Sequence, residues 1–190
     1  MKKLVVFASG SGSNFQAIID GVEKKEIHAE ISGLITDRLN SGAAERAKKH
    51  RIPFVEIKEK NPDQFTKIVI DHLNIWKPDF IILAGFLKKI SDEIIHKFPK
   101  KIINIHPSLL PKYGGKGYYG LNVHKAVLEA GDHESGCTVH YVNEDYDRGE
   151  IIMQQRVEVL EYDTPETLAA RVLDAEHKLL PTVINNLINH

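Results

Sequence analysis

Cysteine, methionine and tryptophan are scarce in this chain of 190 residues. Its one cysteine, Cys137, excludes an internal disulfide and any Cys-x-x-Cys metal motif, and it suits a reducing compartment. The 25 basic and 26 acidic residues leave a formal net charge of -1, which gives no electrostatic reason to expect a nucleic acid partner. Because no apolar run is long enough to span a membrane, we expect no membrane partner either.

The N-terminus carries two lysines and an apolar run over residues 4–8, an arrangement that superficially resembles a signal peptide. The run ends at the sequence Ser9-Gly10-Ser11-Gly12, too early for the apolar region of such a peptide. We therefore expect a cytoplasmic protein whose N-terminus begins with a buried strand. A content of 42% hydrophobic and 27% charged residues is typical of a globular chain, and the length favours one domain over residues 1–190.

Short apolar runs alternate with segments of helical periodicity over the first hundred residues. Strands are predicted over residues 4–8, 31–36, 54–57, 80–84 and 102–105, and helices over 13–25, 41–50, 62–76 and 91–98. Parallel strands need crossover helices, and wholly apolar strands need both faces covered. The pattern therefore predicts an α/β fold with a doubly wound, mostly parallel sheet.

The pattern changes after residue 105. Residues 107–122 hold two prolines and four glycines without periodicity, which predicts a long loop of the kind that is often functional. A short helix over 123–130 and an antiparallel hairpin over 138–142 and 151–159 should follow. The last helix should begin after an N-cap at Thr164, and Pro181 should kink or divide it.

The serine and glycine loop over residues 9–14 lies between the first strand and the first helix. Free backbone N–H groups and the helix dipole favour an anion there, so phosphate binding is one hypothesis. The loop lacks the GxGxxG spacing, because Phe15 stands at the third glycine position, and it lacks the ending of a P-loop. The alternative is a tight turn in which Ser13 caps the helix.

Asn104 and His106 give the strongest local signal for chemistry. They stand two residues apart at the end of a predicted strand, so their side chains project to the same side and border the crevice of an open α/β sheet. An asparagine N–H can stabilise a developing oxyanion, and a histidine can move a proton near neutral pH. The pair suits acyl transfer without a covalent intermediate, although His106 could also serve only as a structural hydrogen-bonding group.

Asp147 lies in a predicted turn, and its carboxylate would favour the imidazolium form of His106 if the two were close. On turn chemistry alone, the Asp-Arg-Gly sequence there is an ordinary turn. His124 and His140 are alternative imidazoles, for which we expect structural roles. No His, Asp or Glu grouping has metal-ligand spacing, so we predict no metal.

Six stretches of the chain resemble the phosphoribosylglycinamide formyltransferases, the folate-dependent enzymes of purine biosynthesis. They are residues 9–14, 83–87, 104–111, 136–140, 147–152 and 175–177. The sequence NIHPSLLP over 104–111 is shared by related formyl-handling enzymes, whereas the N-terminal loop together with Glu176-His177 narrows the resemblance to this family. The resemblance implies a Rossmann-like fold with a seven-stranded sheet.

The resemblance also implies a transferase of one-carbon metabolism that acts on small molecules. It would pass the formyl group of 10-formyltetrahydrofolate, a cosubstrate rather than a tightly bound cofactor, to the amine of N1-(5-phospho-D-ribosyl)glycinamide. The N-terminal half would bind this substrate, the C-terminal half would bind folate and catalyse, and the protein would be a monomer or homodimer. The implied residues are Asn104, His106 and Asp147 for catalysis; Gly12, Ser13 and Asn14 for phosphate; Glu176 for the glycinamide end; and Leu87, Lys88, Lys89, Ile90, Asn104, Asn143, Glu144 and Asp145 for folate.

Three positions depart from the family pattern. Lys88 stands where many members have arginine, which changes the polar contacts available to folate. The family's basic contact to the folate tail falls near Pro62, where only Lys58 or Lys60 could replace it. The glycine-rich loop over residues 112–122 is longer than in many relatives, and we expect a mobile cover in which Lys116 faces substrate anions.

Three other functions are compatible with parts of the sequence. A formyltetrahydrofolate hydrolase would use a similar site with water as acceptor, but such proteins usually carry an extra N-terminal domain. A methionyl-tRNA formyltransferase would need a further C-terminal domain and a basic surface. A non-catalytic nucleotide-binding module would bind phosphate but not folate.

Overall fold

The computed structural model describes residues 1–189, in which seven strands alternate with six helices. The strands are β1 (Lys2–Phe7), β2 (Ala29–Thr36), β3 (Phe54–Glu56), β4 (Phe80–Leu83), β5 (Ile102–His106), β6 (Glu134–Tyr141) and β7 (Ile151–Glu158). The helices are α1 (Ser13–Glu23), α2 (Gly42–Lys49), α3 (Pro62–Trp76), α4 (Asp92–Lys97), α5 (Leu121–Glu129) and α6 (Pro165–Asn189). Each predicted element is present, and the largest difference is at β6, which begins at Glu134 rather than at residue 138.

All seven strands form one sheet in the order β3-β2-β1-β4-β5-β6-β7. Strands β1 to β5 pair in parallel, whereas β6 runs antiparallel to both β5 and β7. The predicted doubly wound, mostly parallel sheet with one antiparallel strand is therefore confirmed. The strand order reverses at β1, so a ligand crevice is expected outside the carboxyl ends of β1 and β4.

Both faces of the sheet are covered, which explains why its central strands are apolar without alternation. Val6 of β1 packs in a cluster with Phe15 of α1 and Leu180 of α6, whereas its neighbour Phe7 packs with Phe65 of α3 on the opposite face. Successive side chains of a strand point to opposite faces, so each position of β1 needs an apolar residue. The two layers fix the strand ends that carry the polar residues of the crevice.

Polar side chains cap the starts of three helices. Ser41 accepts a hydrogen bond from a backbone N–H in the first turn of α2 at 3.2 Å, and Asn61 accepts two in α3 at 3.0 and 3.1 Å. Pro62 occupies the first position of α3, where its missing N–H is not needed. Thr164 accepts a hydrogen bond from the N–H of Thr167 at 3.3 Å, so the predicted N-cap of α6 is confirmed.

Helix α6 is continuous from Pro165 to Asn189, so Pro181 does not divide it, and the predicted kink stays a prediction. Leu180 and Val183 flank the proline and are fully buried in the core. Their packing holds both sides of the proline in one helix although one backbone hydrogen bond is lost. Neither α6 nor any other helix within residues 1–189 is long and apolar enough to cross a membrane.

Asp163 joins the chain before α6 to the first turns of that helix. Its carboxylate accepts hydrogen bonds from both terminal nitrogens of Arg171 at 2.7 and 2.8 Å, from the N–H of Leu160 at 2.8 Å and from the hydroxyl of Thr167 at 2.8 Å. The Arg171 hydrogen bonds outweigh burial and hold the pKa of Asp163 well below its usual range. The Asp163 side chain is 3% exposed, so these protein groups rather than water stabilise its ionised form.

We predict that Asp163→Asn lowers the free energy of unfolding by about 1–3 kcal/mol at pH 7, because Arg171 loses its charged partner. A carboxyl with a lowered folded-state pKa stabilises the protein above its unfolded pKa of about 4, and this contribution is lost as the pH falls further. The difference between variant and wild type should therefore shrink below pH 4 in urea unfolding experiments. The exposed Asp71→Asn serves as control and should change stability by less than about 0.5 kcal/mol; an equal effect of both variants would contradict this assignment.

Candidate active site

Asn104 and His106 lie on the same side of β5 at its carboxyl end, and both side chains line one cleft. In the antiparallel register with β6, Asn104 stands opposite His140 and His106 stands opposite Thr138. Because His106 pairs with β6, β5 ends at residue 106, one residue after the predicted end at 105. Both side chains are thus fixed by regular strand geometry rather than by a loop.

The imidazole of His106 is buried, with 5% of the residue surface exposed. Its Nε2 lies 2.8 Å from the backbone oxygen of Tyr113, and its Nδ1 lies 3.5 Å from Oδ2 of Asp147. Because a carbonyl oxygen only accepts, Nε2 carries the hydrogen, and Nδ1 of the neutral ring holds the lone pair. Burial lowers the pKa of His106, and this outweighs the attraction of Asp147, which favours the imidazolium as predicted.

The carboxylate of Asp147 reaches these two residues from the loop between β6 and β7. Its Oδ2 accepts a hydrogen bond from the N–H of Gly115 at 2.9 Å, and its Oδ1 lies 3.5 Å from Nδ2 of Asn104 and 3.6 Å from Nε2 of His140. Burial by itself raises the pKa of Asp147, but the contact with His140, the charge of His106 and the Gly115 N–H together lower it. The group is therefore ionised at neutral pH.

Buried hydrogen bonds attach the start of the long loop to β6. The hydroxyl of Thr138 donates to the backbone oxygen of Ser108 at 2.6 Å and accepts from the N–H of Leu110 at 3.1 Å. The hydroxyl of Ser108 donates to the backbone oxygen of Lys112 at 2.6 Å. These contacts position the oxygen of Tyr113 against His106, so the loop sets the tautomer of the imidazole.

The cleft has a volume of about 800 Å³, which suits a ligand of the size of a folate or a nucleotide. Gly12 and Ser13 are not among its lining residues; Ser13 lines a separate groove between α1 and α6. Residues 1–189 hold no group of three or more His, Cys, Asp or Glu side chains that could bind a metal ion. The predicted residues that line the cleft are Asn14, Leu87, Lys88, Lys89, Ile90, Asn104, His106, Asn143, Glu144, Asp145, Asp147 and Glu176.

The first turn of α1 presents backbone N–H groups beside the cleft. Gly12 is the N-cap, with a left-handed φ of 71°, and no side chain within residues 1–189 caps the helix. The alternative in which Ser13 caps the helix is therefore wrong. A Cβ atom on Gly12 would lie 2.7 Å from Cα of Ala43, so only glycine fits this close approach. The free N–H groups and the helix dipole suit an anion.

Asn14 and Glu176 form a buried pair at the same end of the cleft. Nδ2 of Asn14 donates to Oε2 of Glu176 at 2.6 Å, and Oδ1 of Asn14 is buried without a hydrogen-bond partner among residues 1–189. Burial raises the pKa of Glu176 to about 7, although the Asn14 hydrogen bond acts in the opposite direction. A ligand with hydroxyl or amine donors would satisfy both side chains.

The predicted folate residues follow β4 and β6 at the other end of the cleft. Leu87 is 51% exposed, whereas Ile90 is buried. Lys88 is anchored: its Nζ donates to the backbone oxygen of Glu59 at 2.9 Å and lies 3.6 Å from the ring centroid of Phe65. The expected substitutes Lys58 and Lys60 do not line the cleft, so Lys88 is the basic residue that joins the cleft to the loop before α3.

Sequence reasoning missed several residues that line the cleft. Arg38 stands two residues after the end of β2, and the shared edge of parallel strand ends was a signal that could have identified it. His140 was predicted to be structural, but it contacts both Asn104 and Asp147. Tyr118, Tyr119 and His124 also line the cleft, and so does Lys116, which was expected to face substrate anions.

The sequence profile of the formyl transferase family matches residues 2–184. A phosphoribosylglycinamide formyltransferase of Bacillus subtilis (strain 168) is 39% identical, covering 99% of this chain and 95% of the relative. The chloroplastic phosphoribosylglycinamide formyltransferase of Arabidopsis thaliana is 47% identical over 96% of this chain, which spans only 64% of that relative's length. The crystal structure of phosphoribosylglycinamide formyltransferase from Bacillus halodurans superimposes with a TM-score of 0.91 at 33% identity, covering 98% of this chain and 95% of that one.

The chain belongs to the formyl transferase family. Within that family, the three proteins described above are all named phosphoribosylglycinamide formyltransferase, so the resemblance found in the sequence motifs is confirmed.

We predict that the buried Glu176 makes stability fall as the pH rises from about 4.5 to about 7. In that range the folded protein keeps a proton that the unfolded chain has released, because the folded-state pKa is raised. Glu176→Gln removes this dependence, so wild type should lose at most about 3 kcal/mol relative to the variant between pH 5 and pH 8. Urea unfolding at several pH values measures this difference in the free energy of unfolding, and the exposed Glu161→Gln is the control. Parallel pH dependence of wild type and Glu176→Gln would contradict the raised pKa.

Proposed function

We propose that this protein transfers the formyl group of 10-formyltetrahydrofolate to the amine of N1-(5-phospho-D-ribosyl)glycinamide, a step of de novo purine biosynthesis. The observation that carries the proposal is the contact of Asn104, His106 and Asp147 in one group at the edge of the cleft. An amide donor, an imidazole and a carboxylate are the groups that formyl transfer to an amine requires. Membership of the formyl transferase family and the names of the relatives support this reaction.

The two ends of the cleft suggest how the substrates bind. The N–H groups that follow Gly12 would hold the phosphate of the glycinamide substrate, and Asn14 and Glu176 would contact its polar groups. The reduced folate would lie between residues 87–90 and residues 143–145 at the other end. This arrangement brings the formyl group to Asn104 and His106, because β5 lies between β4 and β6, the two strands that the proposed folate residues follow.

The reaction would proceed by direct attack of the amine on the formyl carbon. As the new C–N bond forms, the formyl oxygen gains negative charge and accepts a hydrogen bond from Nδ2 of Asn104. The Nδ1 lone pair of neutral His106 accepts the proton that the amine releases, and Asp147 stabilises the resulting imidazolium. When the bond between the formyl carbon and the folate nitrogen breaks, that proton passes to the folate nitrogen.

The proposal also covers the domain organisation, the cosubstrate, the location and the partners of the protein. Residues 1–190 would act as one domain, a reading supported by the single sheet that all seven strands share. The protein would use folate as a cosubstrate rather than a bound cofactor, and it would act in the cytoplasm as a monomer or homodimer on small molecules. The balanced net charge of -1 supports the absence of a nucleic acid partner.

Acceptor dependence tests the proposed reaction. We expect the purified protein to release tetrahydrofolate from 10-formyltetrahydrofolate only when N1-(5-phospho-D-ribosyl)glycinamide is present, because the amine takes the formyl group. Absorbance of the folate and mass spectrometry of the formylated product measure the two products together. Equal formyl loss without acceptor would indicate a hydrolase, and no folate affinity in a thermal-shift assay would indicate a nucleotide-binding module; either result would contradict the proposal.

We predict that Asn104→Ala and His106→Ala each lower the turnover rate by about 10²–10³-fold, because each removes a polar group that acts on the reacting atoms. Circular dichroism and thermal unfolding should show folded proteins in both cases. The exposed Asn189→Ala and His133→Ala are the matched controls and should keep the wild-type rate. Near-normal turnover in a folded His106→Ala protein would remove the imidazole from the mechanism.

A further inference from the structure

His140 is a buried imidazole next to the catalytic group, and the proposed reaction does not use it directly. It lies on β6 opposite Asn104, and 2% of its surface is exposed. Its Nδ1 lies 2.8 Å from the backbone oxygen of Tyr141. A carbonyl oxygen can only accept, so Nδ1 carries the hydrogen, and Nε2 of the neutral ring is left with a lone pair.

The Nε2 atom of His140 faces the side-chain amide of Asn104. Nδ2 of Asn104 lies 3.1 Å from this Nε2 and 3.5 Å from Oδ1 of Asp147. Both neighbours are hydrogen-bond acceptors, so the amide must present its nitrogen to them. If the Asn104 amide rotated by 180°, its oxygen would face Nε2 of His140 and Oδ1 of Asp147, which are both acceptors. The hydrogen bond to His140 would be lost, and the oxygen would be repelled by both atoms.

The two contacts of Asn104 differ in strength. The 3.1 Å contact with His140 has the length of an ordinary hydrogen bond, whereas the 3.5 Å contact with Asp147 is at the limit of one. One amide hydrogen is therefore committed to His140. The second is held weakly and can be given to an oxygen of a ligand in the cleft, which Asn104 lines.

We propose that His140 is a positioning residue whose Nε2 lone pair orients the Asn104 amide so that an N–H, rather than the amide oxygen, faces the formyl oxygen. This inference rests on the proposed function and assigns a role to a residue outside the reacting group. Tyr141 contributes through its backbone oxygen, which fixes the tautomer of His140. The reaction thus depends on a chain of acceptors and donors from Tyr141 through His140 to Asn104.

A double-mutant cycle tests whether His140 acts through Asn104. We expect His140→Leu to lower kcat by about 10–100-fold while the KM for the folate stays within about threefold, because a misdirected donor costs rate rather than binding. In an Asn104→Ala background the same substitution should cost less than about threefold, since no amide remains to orient. An equal loss of kcat in both backgrounds would overturn the proposal.

Two further variants separate positioning from a general loss of packing. His140→Gln keeps a side-chain acceptor and should recover at least about tenfold of the rate lost in His140→Leu. Val139→Ala removes a buried side chain on the opposite face of the same strand and should destabilise the protein while kcat stays within about threefold. Equal kcat in the Gln and Leu variants, or a loss in Val139→Ala as large as in His140→Leu, would overturn the proposal.

The tautomer of His140 can be measured without any assay of activity. Nitrogen-15 NMR of the imidazoles should show a protonated Nδ1 and an unprotonated Nε2 for His140 at neutral pH, and His140→Leu assigns the signals. An N–H at Nε2 would overturn the proposal whatever reaction the protein catalyses. If the NMR result is as expected and the wild type transfers no formyl group, the proposed function fails while the tautomer assignment remains.

Discussion

The buried carboxylate of Asp147 joins parts of the chain that are far apart in sequence and that would otherwise form separate walls of the cleft. It contacts Asn104 and His106 on β5, His140 on β6 and the N–H of Gly115 in the long loop. Several partners compensate for the loss of water around the charge, so the ionised form persists in a buried place. This one charge therefore lies where the amide, both imidazoles and the glycine-rich loop meet.

The pKa values of the two carboxyl groups of the cleft are shifted in opposite directions, although burial raises both. Asp147 has imidazoles and a backbone N–H around it, and its pKa is lowered, whereas Glu176 has only the amide of Asn14 and its pKa rises to about 7. The difference lies in the polar groups that surround each carboxyl, not in burial itself. The end of the cleft at Asp147 is thus charged at neutral pH, whereas the end at Glu176 has an unsatisfied amide oxygen on Asn14 that suits a ligand.

Local sequence signals predicted the parts of the site that regular structure places. Asn104 and His106 could be paired from the strand period of two, and the fold could be read from the alternation of apolar runs and helical segments. The partners of Asp147 could not be derived in this way, because a turn gives no information about which distant strand its side chain meets. Pro181 does not divide α6, because core packing outweighs the local rule, and the contact of His140 with Asn104 depends on the pairing of β5 with β6, which no local pattern fixes.

The rate of formyl transfer by Asp147→Asn tests the central role of this carboxylate most directly, because the substitution removes the charge and keeps the shape. A folded variant should transfer the formyl group at least about 100-fold more slowly than wild type, since the imidazolium of His106 loses its partner. The KM for the glycinamide substrate should change by less than about threefold, because its phosphate would bind at the start of α1. A folded Asp147→Asn protein with a rate within threefold of wild type would contradict the account.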